Sequence, residues 1–295
     1  MPDWTEANIP DQRDRIAVIT GANTGLGFET ARALAEHGAT VVLACRNPDK
    51  AERAAQRIAE TAHATVDTVR LDLASLASIG QAAKEIRARY GRIDLLINNA
   101  GVTGRTGVTD DGFEIQFGTN HLGHFALTGL LLERLVDTPG ARIVTVSSIG
   151  HRFGRIDAAN PAVVRGSPYA TSKLANLLFA YELGRRLAGT GAISLAAHPG
   201  GASTEVFRYS SPLFRLPNLA IARVLGRTSA MGALPTLRAA TDPAARSGEY
   251  YGPAGLFEIR GYPVPVRSSA GSHDRARQAR LWEVSERLTG VRYPL

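Results

Sequence analysis

A repeating alternation constrains this chain more than any single residue does. Short, almost wholly apolar runs are each followed by a stretch with helical spacing. RIAVIT (15–20) precedes FETARALAEHG (28–38), TVVLAC (40–45) precedes DKAERAAQRIAET (49–61), and TVDTVRLDL (65–73) precedes SIGQAAKEIRARYG (78–91). DLLINN (94–99) leads through a loop to GFEIQFGTNHLGHFALTGLLLERLV (112–136), and ARIVTVSS (141–148) leads to PYATSKLANLLFAYELGRRLAG (168–189). AISLAAHPG (192–200) closes the series. Strands that read as unbroken apolar runs need cover on both faces, which a parallel sheet with helical crossovers supplies. The pattern therefore predicts an α/β fold, a Rossmann-like doubly wound parallel sheet.

After residue 200 the alternation loosens. A small helical substrate lobe is expected at about 201–240, a seventh strand within 248–259, and a final amphipathic helix over 273–290 that stops at Gly290. No Gly/Ser linker interrupts the chain, so residues 1–295 read as one domain.

The composition excludes several classes. A single cysteine, Cys45, rules out an internal disulfide framework and any cysteine-based zinc site; in strand 2 it reads as a small buried apolar residue. The start of the chain has no apolar leader, and no run of about 18 apolar residues occurs, so neither secretion nor a transmembrane segment is expected and a cytoplasmic protein is. The net charge is +7, but the arginines are dispersed rather than blocked, which argues against nucleic acid as a partner. A positive field of this kind attracts an anionic cofactor.

Strand 1 runs into TGANTGLG (20–27), with Gly21, Gly25 and Gly27 between a strand and a helix. Glycines there allow a tight turn and close approach of a pyrophosphate to the helix N-terminus. The intervening Asn23, Thr24 and Leu26 count as contacts of the same loop. An acidic residue at the end of strand 2 would suit NAD(H). Here Arg46 occupies that place, and a guanidinium suits a phosphate, so NADP(H) is favoured and NAD(H) is the alternative.

The chain carries thirty-one arginines and only three lysines, Lys50, Lys84 and Lys173. Lys173 follows Tyr169 by one helical turn, on the same face. Ser167-Pro168 is a strong helix start, with serine as N-cap and proline at the first helical position. A free phenol, with a pKa of about 10, is a weak base at pH 7. A neighbouring ammonium and the helix N-terminus are expected to lower it, making Tyr169 an acid/base for carbonyl or alcohol chemistry.

Together, TGANTGLG, NNAG (98–101), TNHLGHF (119–125), VSS (146–148), YATSK (169–173) and HPG (198–200) are specific in this order. The chain resembles the short-chain dehydrogenase/reductase family over nearly its whole length. VVLACR, TNHLGHFALT, VSSIGH, SKLANLLFA and LWEVSERLTG resemble its retinol-dehydrogenase-like branch. The resemblance implies a catalytic set of Asn120, Ser148, Tyr169 and Lys173. Ser148, rather than Ser147, would hydrogen-bond the substrate oxygen. Lys173 would hold the nicotinamide ribose, and Asn120 would bend its helix and support a water leading to Lys173. Asp72, with Leu73 beside it, would meet the adenine. Asn98, Ala100 and Gly101 would line the ribose side, and Pro199, Gly200 and Thr204 the carboxamide end. The leucine stripes of 112–136 and 168–189 would form a homodimer or homotetramer interface.

Other candidates carry less. His121 and His124 lie three apart without a third ligand, so no metal is expected and packing is the better reading. His151 and His198 flank the crevice, and His151 is a candidate substrate contact that packing outweighs. Phe153, Ile156, Val206, Phe207, Tyr209, Leu213, Phe214 and Leu216 suggest an apolar pocket for a lipophilic substrate. Arg208, Arg215, Arg223 and Arg227 interleave with them, so the segment would be a lid or rest against a membrane surface. The expected activity is an NADP(H)-dependent carbonyl/alcohol oxidoreduction on a retinoid-, steroid- or fatty-aldehyde-like molecule. The alternatives are reduction of an activated C=C bond and a non-catalytic, cofactor-binding regulatory protein.

Overall fold

The computed structural model describes residues 3–157, 166–201 and 229–295. The apolar runs form strands β1 (Ile16–Thr20), β2 (Thr40–Cys45), β3 (Val66–Arg70), β4 (Leu95–Asn98), β5 (Ala141–Val146) and β6 (Ala192–Ala197). Two further strands follow, β7 (Tyr250–Pro253) and β8 (Pro263–Pro265). They lie in one eight-stranded sheet in the order β3-β2-β1-β4-β5-β6-β7-β8. Strands β1 to β7 pair in parallel, and β8 runs antiparallel to β7. The sequence pattern anticipated β7 but not β8. A three-residue run carrying two prolines shows no strand periodicity, and prolines are tolerated at a sheet edge because an edge N–H need not pair.

Alternate residues of each strand enter opposite cores. Ala17, Ile19, Val41, Leu43, Leu95 and Ile97 pack on one face, and Val18, Val42, Ala44, Leu96 and Ile143 on the other. This is the period-two consequence of the pleat. The first face is covered by α1 (Gly25–Glu36), α2 (Pro48–Ala59) and α6 (Ser229–Thr241). The second is covered by α3 (Leu76–Arg89), α4 (Gly123–Val136), α5 (Pro168–Arg186) and α7 (Arg275–Thr289). Each fully buried leucine or isoleucine contributes about 1.5–3 kcal/mol. Among the described residues no helix is long and apolar enough to cross a membrane.

One expectation changes here. Residues 229–240, the described part of the expected lobe, belong to α6, whose Ala233, Leu237, Ala239 and Ala240 are buried in the first core. Ile156 is buried with Phe117, Leu174, Leu178 and Leu281. Aromatic residues of α4 and α5 pack against α7 and the residues after it within the chain. Phe125 and Phe179 lie 5.2 and 5.8 Å, ring to ring, from Trp282 of α7, and Tyr293 lies 4.5 Å from Trp282. The Tyr293 hydroxyl donates to the Phe125 carbonyl at 2.6 Å. Thr204 and the segment from Val206 to Arg227 lie outside the described residues.

Candidate functional site

The sheet order reverses beside β1, which pairs with β2 on one side and β4 on the other. In an open α/β sheet the ligand crevice lies past the carboxyl ends of the strands at such a switch. The loops leaving β1, β2, β4, β5 and β6 carry Gly21, Arg46, Ala100, Ser148 and Pro199, so most of the candidate residues converge on this edge.

Gly21 turns the chain at φ 67°, and an added Cβ would sit 3.0 Å from that of Ala100. At Gly27 a Cβ would come within 2.5 Å of Asn99 Nδ2 and 2.7 Å of the Gly21 carbonyl oxygen. Gly25, at φ 60°, has nothing within 4 Å of such a position. Thr24 precedes α1 without capping it through its side chain, so the first amides of α1, including those of Leu26 and Gly27, lack that partner. Beneath the turn, burial pushes the Cys45 thiol up to about 11, with the Ala22 and Asn23 amides acting against that rise. Arg46 is exposed and makes no side-chain hydrogen bond or ion pair among the described residues. An open glycine face, an uncapped helix start and an unpaired guanidinium fit the phosphates of a dinucleotide.

Thr20, which the sequence reading passed over, braces this turn. Its hydroxyl accepts from the Asn99 and Ala100 amides at 3.0 and 2.9 Å, and lies 2.9 Å from His124 Nε2. His124 Nδ1 meets the Asn120 carbonyl at 2.9 Å. A carbonyl only accepts, so Nδ1 carries the proton and Nε2 accepts from Thr20. Burial pushes His124 down to about 4, which keeps it neutral. Asn99 adds a bond from Nδ2 to the Thr20 carbonyl at 2.8 Å. Asn98 instead turns inward and donates to Thr128 Oγ1 at 3.0 Å. Asp72 Oδ1 accepts from the Ala74 amide at 3.0 Å, and the Leu73 carbonyl packs against Gly123.

Asn120 sits in a π-helical turn, Gly118–Leu122, at the entry to α4. Such turns are rare and cluster at functional sites. Its Oδ1 accepts from the Val102 amide at 2.7 Å, and its Nδ2 donates to the Val102 carbonyl and to Ser172 Oγ, both at 2.9 Å. Beside Gly101, an added Cβ would lie 3.3 Å from Lys173 Nζ and 3.4 Å from Asn120 Oδ1.

Helix α5 begins as expected: Ser167 Oγ accepts from the Ala170 amide at 3.3 Å, with Pro168 at the first position. Lys173 is 4% exposed and donates to the Val146 carbonyl at 3.0 Å, sharing it with Asn176 Nδ2. Its Nζ lies 5.8 Å from the centre of the Tyr169 ring. Ser148 Oγ accepts from the Gly150 amide at 3.1 Å, and both it and the edge of the Tyr169 ring border Gly150, 3.4 and 3.6 Å from where a Cβ would sit. Ser147 is committed elsewhere, donating to the Lys173 carbonyl at 2.8 Å.

The expected lowering of the phenol is not what this packing produces. Burial raises Tyr169, with Ser148 acting against it, and burial pushes Lys173 down to about 8. Desolvation disfavours each charged form. His151 is buried between the Ser148 carbonyl (Nδ1, 2.6 Å) and the Ser269 amide (Nε2, 3.0 Å), so both ring nitrogens are spent on the scaffold. His121 is buried among Phe117, Phe125 and Phe179, with Nε2 2.9 Å from Ser285 Oγ. Asn99 was legible in NNAG; Thr20 and His124 become visible only once β1 and α4 lie together.

The sequence profile of the family described as short chain dehydrogenase matches residues 15–212. Retinol dehydrogenase 11 of Mus musculus is 49% identical over 203 residues, 67% of this chain and 64% of that protein, so the match spans less than two thirds of that relative's length. Retinol dehydrogenase 12 of Homo sapiens is 41% identical over 287 residues, 95% of this chain and 87% of that protein. The crystal structure of an uncharacterised protein from Mycobacterium paratuberculosis superposes with a TM-score of 0.81 at 42% identity, covering 100% of both chains. A short chain dehydrogenase of Shigella flexneri, solved with NADP, superposes with a TM-score of 0.65 at 25% identity, covering 81% of this chain and 97% of that one. The chain belongs to the short-chain dehydrogenase family. Within that family its similarity falls in the retinol-dehydrogenase-like branch.

Proposed function

We propose that the chain is an NADP(H)-dependent oxidoreductase that interconverts a carbonyl and an alcohol on a lipophilic small molecule. The carrying observation is the convergence of Ser148, Tyr169 and Lys173 beside Gly101 and the Asn120 π turn. When bound, a nicotinamide dinucleotide supplies or accepts the hydride. The chain's residues manage the proton. Burial keeps Tyr169 a neutral phenol, so near pH 7 it is a proton donor to the substrate oxygen, which suits reduction. Ser148 orients that oxygen alongside the phenol. Lys173, titrating at about 8, is mostly protonated at pH 7 and stabilises the tyrosinate left after transfer. Asn120 fixes the backbone around Gly101 on one side and Ser172 of α5 on the other.

The loop Gly21, Asn23, Thr24, Gly25, Leu26 and Gly27 would take the pyrophosphate, and Arg46 the 2′-phosphate. Asp72 and Leu73 would face the adenine. Ala100 and Gly101 would line the ribose, and Pro199 and Gly200 the carboxamide end. Asn98 acts through Thr128 instead. The NADP found in the Shigella relative supports the cofactor choice. The retinol dehydrogenases support a lipophilic, retinoid-, steroid- or fatty-aldehyde-like substrate, as does Phe153, 77% exposed on the turn after Ser148.

The test is turnover of an aldehyde and ketone panel with NADPH and NADH. Tyr169→Phe should lower kcat by roughly two to four orders of magnitude. Arg46→Ala should raise the NADPH KM by about 10–100-fold, the loss of a charge-assisted bond, and leave NADH unchanged. Full activity in Tyr169→Phe defeats the mechanism, and an NADPH KM untouched in Arg46→Ala defeats the cofactor assignment.

A further inference from the structure

Past β7 the chain makes an excursion over residues 254–261. Its base is closed by Ala254 N donating to the Tyr262 carbonyl at 2.9 Å and Gly255 N to the Arg260 carbonyl at 2.8 Å. At its tip Phe257 and Glu258 both adopt left-handed backbone, at φ 53° and 57°. Bulky residues rarely do so unless their surroundings impose it. Apolar burial does not, because Leu256 and Phe257 are 78% and 76% exposed.

The Glu258 carboxylate does. Its Oε1 accepts from Arg152 Nη2 at 3.0 Å, and its Oε2 lies 3.0 Å from Nε2 of the fully buried His198. That second pair is a close electrostatic contact rather than a well-aligned hydrogen bond. His198 Nδ1 accepts from the Gly200 amide at 3.2 Å, so in the neutral ring Nε2 carries the proton and faces the carboxylate. His198 and Arg152 together hold the Glu258 carboxyl below its usual range. The backbone is interlocked too. Gly201 N donates to the Ile259 carbonyl at 2.9 Å, and a Cβ at Gly200 would come 2.5 Å from that oxygen. At Gly252 a Cβ would lie 2.0 Å from His198 Nε2, so only glycine leaves room for the ring there.

Arg152 rides on the turn Ile149–Phe153, which Ser148 caps, and His198 immediately precedes Pro199 and Gly200. One carboxylate therefore ties the element carrying Ser148 to the turn that the proposed function assigns to the nicotinamide end. We infer that Glu258 is a positioning residue, a clamp that holds the Pro199–Gly200 turn at a set distance from Ser148 and Tyr169. The inference rests on the dinucleotide reading and deepens it. Glu258 would govern how the nicotinamide half seats, and would leave the adenine half untouched.

The experiment uses the full chain, with NADPH and 2′-phospho-ADP-ribose (which lacks the nicotinamide ring) as separate fluorescence titrants. Glu258→Ala is expected to weaken NADPH about tenfold, as for loss of a charged hydrogen-bonding group, and to leave 2′-phospho-ADP-ribose unchanged. Arg152→Gln removes one arm and keeps the His198 contact, so it should give a smaller loss with the same selectivity. Equal weakening of both ligands, or of neither, overturns the clamp. A wild type that binds NADPH normally while the variants show no selectivity leaves the proposed function standing and sinks only this inference. A folded wild type that binds neither ligand overturns both.

Discussion

Replacing Lys173 by methionine should stabilise the ligand-free protein while removing its activity. Lys173 is 4% exposed, and burial moves its ammonium from the ordinary 10.5 to about 8. The difference of about 2.5 pKa units, at about 1.36 kcal/mol each, is a penalty of about 3 kcal/mol for carrying the charge at neutral pH. Methionine has similar volume and no charge. It forfeits the bond to the Val146 carbonyl, worth about 1.5 kcal/mol at the low end for a charged donor. That carbonyl keeps Asn176 Nδ2 at 3.2 Å and is not orphaned. The net gain is about 2 kcal/mol, or roughly 3 °C in Tm for a domain of this size.

The pH dependence carries the sign. The folded-state pKa lies below the unfolded one, so between about 8 and 10.5 the unfolded chain binds more protons and wild-type stability rises with pH. The advantage of Lys173→Met should thus be full below pH 8, shrink through that window and vanish above it. Scanning calorimetry of both proteins from pH 6.5 to 10.5, without dinucleotide, reads this directly. A variant less stable than wild type at pH 7, or a Tm difference that does not shrink with pH, refutes the reasoning.

Two further outcomes are expected. Gly27→Ala forces a methyl against Asn99 Nδ2 and the Gly21 carbonyl, an overpacking worth roughly 1–3 kcal/mol; a Tm within 1 °C of wild type would show that the turn yields freely. Trp282→Ala removes the ring that Phe125, Phe179 and Tyr293 pack around, at a cost of about 3–5 kcal/mol; urea melts showing less than about 1 kcal/mol would mean that α7 is peripheral to stability.

Much of the candidate site was legible in the chain because its signals are local. A glycine turn between strand and helix, Ser-Pro opening α5 and the four-residue spacing of Tyr169 and Lys173 each need only a few consecutive residues. The bend at Asn120 came only through the family resemblance, and the structure has a π turn there. The residues missed act across the sequence. Thr20 and His124 are 104 positions apart, and Arg152 and Glu258 are 106. His151 reads as a candidate ligand until Ser269, 118 positions on, occupies its second nitrogen.

The sequence by itself determined the order of strands and helices, the faces each must bury and the residue types at the carboxyl edge of the sheet, since periodicity and turn chemistry are written residue by residue. Only the tertiary structure decided that α7 packs over Phe125 of α4 and Phe179 of α5, that β8 closes the sheet edge, and that burial works to raise Tyr169. The reason is physical: an apolar face specifies that it will be covered but not by what, and a buried group titrates according to how much water its distant neighbours exclude.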